Sequence, residues 1–270
     1  SVVSGRREQI PGAIVKDGGN LLRKDPLPPA SALDLLPFPD KMLFYNLAPA
    51  LERHYMIMAA RGCPYSCTYC YKSLDISSPP GAPAVRMRSV DNVIGELKPF
   101  RKRGKMKMVV FRDDVFGVNK KWLSEFAEKY AREINLPYFC YTHPDAVDKE
   151  RAEILRASGC AFTTMGIQSA DEGVRRKLLN RNYTNERAAE SVRILKGQGI
   201  KVSLDHIAGL PGEDAAALRS AALFYSSMKP DRLLTFWLEY LPGTKMMDIA
   251  IERGMISEDE AGRIRRGYVG

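Results

Sequence analysis

Residues 106–134 read M-K-M-V-V-F-R-D-D-V-F-G-V-N-K-K-W-L-S-E-F-A-E-K-Y-A-R-E-I: a short β-rich apolar run, a polar turn, then a helical pattern. The run at 106–112 reads as a buried strand and 120–134 as an amphipathic helix. The same unit recurs along the chain. Further strands are expected at 55–60, 138–142, 162–167, 202–207 and 232–238, with helices at 90–101, 146–157, 185–196 and 214–227. Short buried strands alternating with helices imply right-handed crossovers and a parallel sheet. Six strands fall short of the eight that close a barrel. The expected class is therefore α/β, as a partial (β/α)6 TIM-like barrel with an open parallel sheet and outer helices, or as a doubly wound sheet. In both, ligands gather where strands end and the following loops begin.

Working outward, the 270 residues are 45% hydrophobic, enough for a sizeable core in one large domain or two small ones. No apolar stretch is long enough to cross a bilayer and no charged-then-apolar leader opens the chain, so the expectation is a soluble, cytoplasmic protein. Formal charge is +9, from 41 Lys plus Arg against 32 Asp plus Glu. The positive residues are scattered; only F-R-K-R-G-K-M-K (100–107) and G-R-I-R-R-G (262–267) are dense, and both read as helix ends or solvated faces. Charge alone does not make this a nucleic-acid protein. Residues 1–50 stand apart: Pro26, Pro28, Pro29, Pro37 and Pro39 fall where periodicity is nearly absent, which reads as a semi-rigid linker. The first residue is Ser1 and the chain stops at Gly270 just after an apparent helix, so a fragment is expected.

Just after the first expected strand comes R-G-C-P-Y-S-C-T-Y-C, residues 61–70. Five cysteines in a chain this long make a poor disulfide framework, and metal or catalytic use is the better reading of Cys63, Cys67 and Cys70. Thiolates at this spacing can wrap one face of an iron-sulfur cube and leave the fourth iron without a protein ligand. A structural zinc site would want a fourth Cys or His at short range. His54 lies nine residues before Cys63, on the far side of the strand. Cys140 and Cys160 stand alone in or beside strands, where a free cysteine usually acts as a small buried hydrophobe.

This spacing, with aromatic Tyr69 directly before the last cysteine, resembles the signature loop of the radical S-adenosylmethionine superfamily, and the resemblance runs from residue 55 onward. It implies a 4Fe-4S cluster on Cys63, Cys67 and Cys70 whose open iron chelates the amino and carboxylate groups of S-adenosylmethionine. One electron then breaks the sulfonium bond, releasing methionine and a deoxyadenosyl radical that abstracts hydrogen from substrate. The resemblance extends to other strand ends. In F-R-D-D-V-F (111–116), Asp113 or Asp114 falls where the family receives the cofactor's ammonium; the bland reading is a capping turn before the helix at Lys120. G-I-Q-S-A-D (166–171) is similar to the family's G-I-E-S stretch near the ribose and carboxylate, with Gln168 in place of Glu and Ser169 beside it; Ser169 would equally suit a capping turn. In H-I-A-G-L-P-G-E-D (206–214) the resemblance places Ile207 and Gly209 against adenine, while Pro211 and Gly212 suit a tight turn. L-P-G-T (241–244) completes it. His143, ending the third strand, has no assigned role.

The segments I-P-G-A-I-V-K-D-G-G (10–19) and L-D-L-L-P-F-P-D (33–40) are similar to the join between a cobalamin-binding domain and the radical core in cobalamin-dependent members. The reading is a linker at 1–50 and a radical core at 51–270. It implies cobalamin as a further cofactor, methyl transfer to an unactivated carbon or phosphorus, a small-molecule substrate, and an electron donor of the flavodoxin or ferredoxin type. No D-x-H-x-x-G cobalamin-ligand motif occurs in the chain. Two alternatives stand beside this. One is a radical enzyme without cobalamin, of the tRNA methylthiotransferase or oxidative cyclisation kind; the other is a zinc-dependent nucleic-acid-binding module.

Overall fold

The computed structural model describes residues 14–17, 20–23, 32–74 and 84–267. In chain order its first elements are β1 (Ile14–Asp17), β2 (Asn20–Arg23), α1 (Met42–Tyr45), β3 (His54–Ile57), β4 (Ala60–Arg61) and β5 (Arg86–Met87). Strand and helix then alternate through α2 (Val90–Lys102), β6 (Met108–Phe111), α3 (Lys120–Glu133), β7 (Tyr138–Thr142), α4 (Lys149–Ala157) and β8 (Cys160–Gln168). The chain continues with α5 (Glu172–Lys177), α6 (Asn185–Gly197), β9 (Lys201–Ala208), α7 (Ala215–Met228), β10 (Arg232–Trp237), α8 (Lys245–Glu252) and α9 (Glu258–Arg265). Among the described residues no helix is long and apolar enough to cross a membrane.

Helix starts follow from local chemistry. Ser89, Asn119, Asp148, Thr184 and Asp214 each accept a free amide of the first turn of α2, α3, α4, α6 and α7. Each such cap is worth about 1 kcal/mol. The Asp148 cap also sets the start of α4 at Lys149 rather than at the expected 146, because Pro144–Ala146 forms a separate single turn.

Six strands form one parallel sheet in the order β10-β9-β8-β7-β6-β3. Each new strand joins beside the one before it, so the winding never reverses, and the crossover helices α2, α3, α4, α6 and α7 pack into one core on a single side. Of the two expected architectures this is the partial barrel. Alternation sorts side chains between the faces. On β7, Tyr138, Cys140 and Thr142 are buried beneath the helices, while Phe139 and Tyr141 are half-buried on the open face. The helix-side core centres on stacked or edge-packed rings of Phe111, Phe116, Trp122, Phe126, Tyr130 and Tyr138. Such pairs add roughly 0.5–1.5 kcal/mol each beyond the area they bury.

Three expectations change. The first strand is split: β3 ends at Ile57, and β4 leaves the main sheet to pair antiparallel with β5. The stretch read as lacking periodicity contains an antiparallel β1–β2 pair, with Ile14 opposite Arg23. Pro26, Pro28 and Pro29 lie outside the described residues. Helices α5, α8 and α9 were not expected as separate elements. The basic runs fall as expected at helix ends: α2 stops at Lys102, and Arg103 and Lys105 reach the buried Glu52 carboxylate at 2.6 and 3.5 Å. The second run lies at the end of α9.

Candidate active site

The cysteine loop leaves β4 at the carboxyl edge, and three anchors fix its course. Gly62 has φ +97° and passes the Ala84 carbonyl so closely that no side chain fits, which makes glycine obligatory. Upstream, the buried Asp113 carboxylate accepts the amides of Ala59 (3.0 Å) and Ala60 (2.6 Å), turning the chain out of the sheet. Downstream, Thr68 donates its hydroxyl to Leu178 O (2.6 Å) and its amide to Leu179 O (3.3 Å), while Asn180 Nδ2 reaches Ser66 O and Oγ at 3.0 and 2.9 Å. The turn after α5 thus forms a wall of the loop. A cavity of about 740 Å³ opens beside it, lined by Arg61, Cys63, Tyr65, Tyr71 and Lys72 among others.

Cys67 is buried, and Cys63 and Cys70 are half-buried. Burial pushes the Cys63 and Cys70 thiols up, and Asp114 and Cys67 add to the rise at both. Free thiolates would therefore repel one another here, and a bound metal reverses that penalty. Among the described residues no His, Cys, Asp and Glu side chains are already gathered into a metal cage. The fit rests on the donor set: three thiols on one loop that contains no histidine, with a guanidinium against the buried thiol. That cation is Arg181, whose Nη1 lies 3.3 Å from Cys67 Sγ. Burial opposes its charge, yet Tyr69, Tyr183 and Cys67 beside it hold its pKa above the usual range. Soft thiolates without nitrogen ligands suit an iron-sulfur cluster better than a zinc site completed by histidine.

The other candidates separate by contact. Asp113, expected as an acceptor of the cofactor's ammonium, is instead engaged by the Ala59 and Ala60 amides, and burial pushes its pKa up to about 7. Asp114 is placed differently: its Oδ2 faces Lys72 Nζ at 3.2 Å but meets no well-directed hydrogen-bond donor. Tyr69 and Ile207, far apart in sequence, pack in one apolar cluster with Leu178, Leu179 and Met246. Gly209 has φ +79° beneath the indole of Trp237, and its amide donates to Glu213 Oε2 (2.6 Å). Ser169 is buried; its hydroxyl accepts the Asp171 amide (3.2 Å) in a local turn, while the cap of α5 is Asp171 itself, which accepts the Val174 amide.

Gln168 is held at φ +74°, in the left-handed region, where the β8–β9 register shifts. Its Oε1 is buried without a partner, and its amide lies over Gly166. A strained residue with an unpaired acceptor marks a place shaped for something other than stability. Gln168→Gly is expected to leave the unfolding free energy within about 1 kcal/mol of wild type, because relief of the left-handed strain offsets glycine's extra backbone entropy. On the expectation that Gln168 Oε1 accepts a hydrogen bond from the cofactor, S-adenosylmethionine binding should weaken about tenfold, the worth of one hydrogen bond. Thermal unfolding and ligand titration on the same samples separate the two effects.

Sequence reading missed two groups and left a third unassigned. Arg181 was not singled out because its partners come from β8 and the cysteine loop. Asp205 on β9 faces the open side opposite Gly166, with Oδ1 unpartnered and its pKa pushed up to about 6 by burial. His143 stacks on Tyr65 at 3.7 Å, and its Nδ1 accepts the Asp145 amide (3.2 Å). Burial, with Arg181 and Arg187 nearby, pushes its pKa down to about 2, so Nε2 carries the proton of a neutral ring.

Comparison with known proteins extends this picture. The chain is 23% identical over 255 residues to an uncharacterized methyltransferase, PH0819, of Pyrococcus horikoshii, an alignment covering 92% of this chain and 53% of that one. Among solved structures it resembles the radical S-adenosylmethionine methyltransferase TsrM of Kitasatospora setae (TM-score 0.74, 20% identity, 93% of this chain and 51% of that chain). It also resembles the cobalamin-dependent S-adenosylmethionine radical enzyme OxsB (TM-score 0.69, 14% identity, 90% and 41%). These two likenesses carry the fold. The chain spans about half the length of the curated relative, 53%. Residues 57–224, more than half of the chain, match the Radical SAM superfamily and enclose the cysteine loop, Asp113, Gln168, Arg181 and Asp205. The chain belongs to the radical SAM superfamily, whose members use a 4Fe-4S cluster and S-adenosylmethionine.

Proposed function

We propose that this chain is the radical core of a cobalamin-dependent methyltransferase acting on an unactivated carbon or phosphorus of a small molecule. Its cluster would be held by Cys63, Cys67 and Cys70. When bound, such a cluster supplies the electron that splits S-adenosylmethionine and yields the deoxyadenosyl radical. The protein's part is to bind, aim and shield. Asp114 offers a carboxylate to the cofactor's ammonium, Gln168 Oε1 and Asp205 Oδ1 accept hydrogen bonds on the open face, and Ile207 with Tyr69 supplies an apolar wall for a flat base. The observation that carries this reading is the cysteine loop, docked against the turn after α5 so that Cys67 meets Arg181.

Cobalamin use is supported by the resemblance to OxsB and by the segments at 10–19 and 33–40. In this reading residues 1–50 join the core to a cobalamin-binding domain, and a flavodoxin- or ferredoxin-type protein delivers the electron. The test is a product assay under reducing, anaerobic conditions. Deoxyadenosine and S-adenosylhomocysteine appearing together, with cobalamin present, support radical methyl transfer. Deoxyadenosine alone, at any cobalamin concentration, favours a radical reaction without it.

A further inference from the structure

Residues 33–41 run beside β3, the edge strand of the main sheet, and a second cavity of about 330 Å³ lies between them. Its walls mix apolar groups, Leu36, Phe38 and Met56 among them, with four cations, Lys41, Arg61, Arg88 and Arg112, and one carboxylate, Glu96. Two of the cations close carbonyls of the edge strand. Arg88 Nη1 pairs with Glu96 at 2.6 Å and donates to Met58 O (3.2 Å), and Lys41 Nζ donates to Met56 O (2.6 Å). Arg61 and Arg112 are exposed. Arg112 has one neutral partner, Tyr141, whose Oη accepts from Nη1 at 2.7 Å. Among the described residues Lys41, Arg61 and Arg112 form no ion pair with a carboxylate, so four cations against Glu96 leave a surplus of three positive charges. Burial pulls the Lys41 pKa down although Glu96 works against it, as happens to a cation short of counter-charge.

Resting on the proposed transfer to a small molecule, we propose that this cavity binds a phosphate monoester group of the substrate, with Arg61 and Arg112 as its principal donors. Guanidinium forks hold phosphate through paired N–H donors, and a dianion matches the surplus of positive charge better than a single carboxylate does. The volume is at the lower end for small-ligand clefts, with room for one phosphate and a short organic stem. Leu36, Phe38 and Met56 give that stem apolar walls, which a free inorganic anion has no use for. Position ties the cavity to the chemistry. Met58 and Arg61 also line the cavity of about 740 Å³ beside the cysteine loop, so the two spaces adjoin. Arg61 stands two residues before Cys63, and Arg112 directly before Asp113 at the end of β6. A substrate anchored here by its phosphate carries its organic part past Met58 toward the cysteine loop.

Solvated surface arginines would lack carboxylates too, so the test reads binding directly. The probes are radiolabelled inorganic phosphate and phenyl phosphate, in equilibrium dialysis against the full chain at fixed ionic strength, before and after cluster reconstitution. One saturable site per chain is expected in both preparations, so failure of the cluster assignment leaves this result standing. Phenyl phosphate should bind about tenfold more tightly than inorganic phosphate, through the apolar walls. Arg61→Gln and Arg112→Gln should each weaken its binding about fivefold, the loss of one charge-assisted contact at a partly exposed site. Arg132→Gln alters an exposed arginine of α3 that pairs with Glu133 outside the cavity, and should change binding less than about twofold. Acetate should displace phenyl phosphate only at roughly tenfold higher concentration than phosphate does. The proposal is overturned by absence of saturable binding, by binding seen only after reconstitution, or by affinity unchanged in both cavity variants. Equal losses in Arg132→Gln, or acetate competing as well as phosphate, also overturn it. So does inorganic phosphate binding more tightly than phenyl phosphate, which marks a free-anion site instead of a substrate group.

Discussion

Cys67→Ala leaves the chain folded and unable to keep its metal: iron and sulfide after anaerobic reconstitution are expected to fall more than tenfold below the roughly four of each that a 4Fe-4S cluster requires. The fold should survive because Cys67 sits in a loop held by other contacts, from Thr68, Ser66 and Gly62. Arg181 keeps its bonds to Tyr69, Tyr183 and Gly166 when the sulfur goes. The matched controls are Cys140→Ala and Cys160→Ala. These sulfurs lie 3.8 Å apart, both fully buried beneath the helices, away from the carboxyl edge. Each should lose stability as a trimmed core residue does, while iron content stays at the wild-type level. Colorimetric iron and sulfide counts on the four proteins give the answer.

Asp113→Ala is expected to cost about 3 kcal/mol of stability, because two buried amides, those of Ala59 and Ala60, lose their acceptor at about 1–3 kcal/mol apiece. Asp113→Asn should fall between, since one oxygen still accepts while the amide group faces an N–H. Iron retention should drop in both, because these amides set where the cysteine loop leaves the sheet. The acid also has a pH signature. Burial holds its folded pKa at about 7, well above the value near 4 of an unfolded chain, so between those pH values the folded form keeps a proton that the unfolded form gives up. Its contribution to stability is therefore full below about pH 4 and declines as pH rises toward 7. Urea unfolding at pH 5 and pH 8 should show that decline in wild type and a flatter profile in Asp113→Asn.

How much of this could be read from the sequence follows from the range of each interaction. The strands at 138–142 and the helix at 120–134 were legible because a local apolar period and a single cap fix them, and the structure places β7 and α3 there within a residue. The split of the first strand was not, since it depends on Asp113 reaching back to Ala59 and Ala60 across more than fifty positions. That three cysteines share one loop could be read from spacing alone. Their surroundings could not: Arg181 and Asn180 follow α5 and meet the loop only after the sheet has brought two distant segments together. Two adjacent acids in F-R-D-D looked interchangeable on paper. The fold separates them, turning Asp113 inward to the loop's backbone and Asp114 toward Lys72.

In the proposed function the three-cysteine loop holds an open-iron cluster that cleaves S-adenosylmethionine. The most direct test of this is deoxyadenosine release by the reconstituted, reduced chain given S-adenosylmethionine. Deoxyadenosine is expected to form only with iron, reductant and all three of Cys63, Cys67 and Cys70 present. Cleavage that persists in the triple cysteine-to-alanine variant, or a fully iron-loaded wild type that releases none, would contradict it.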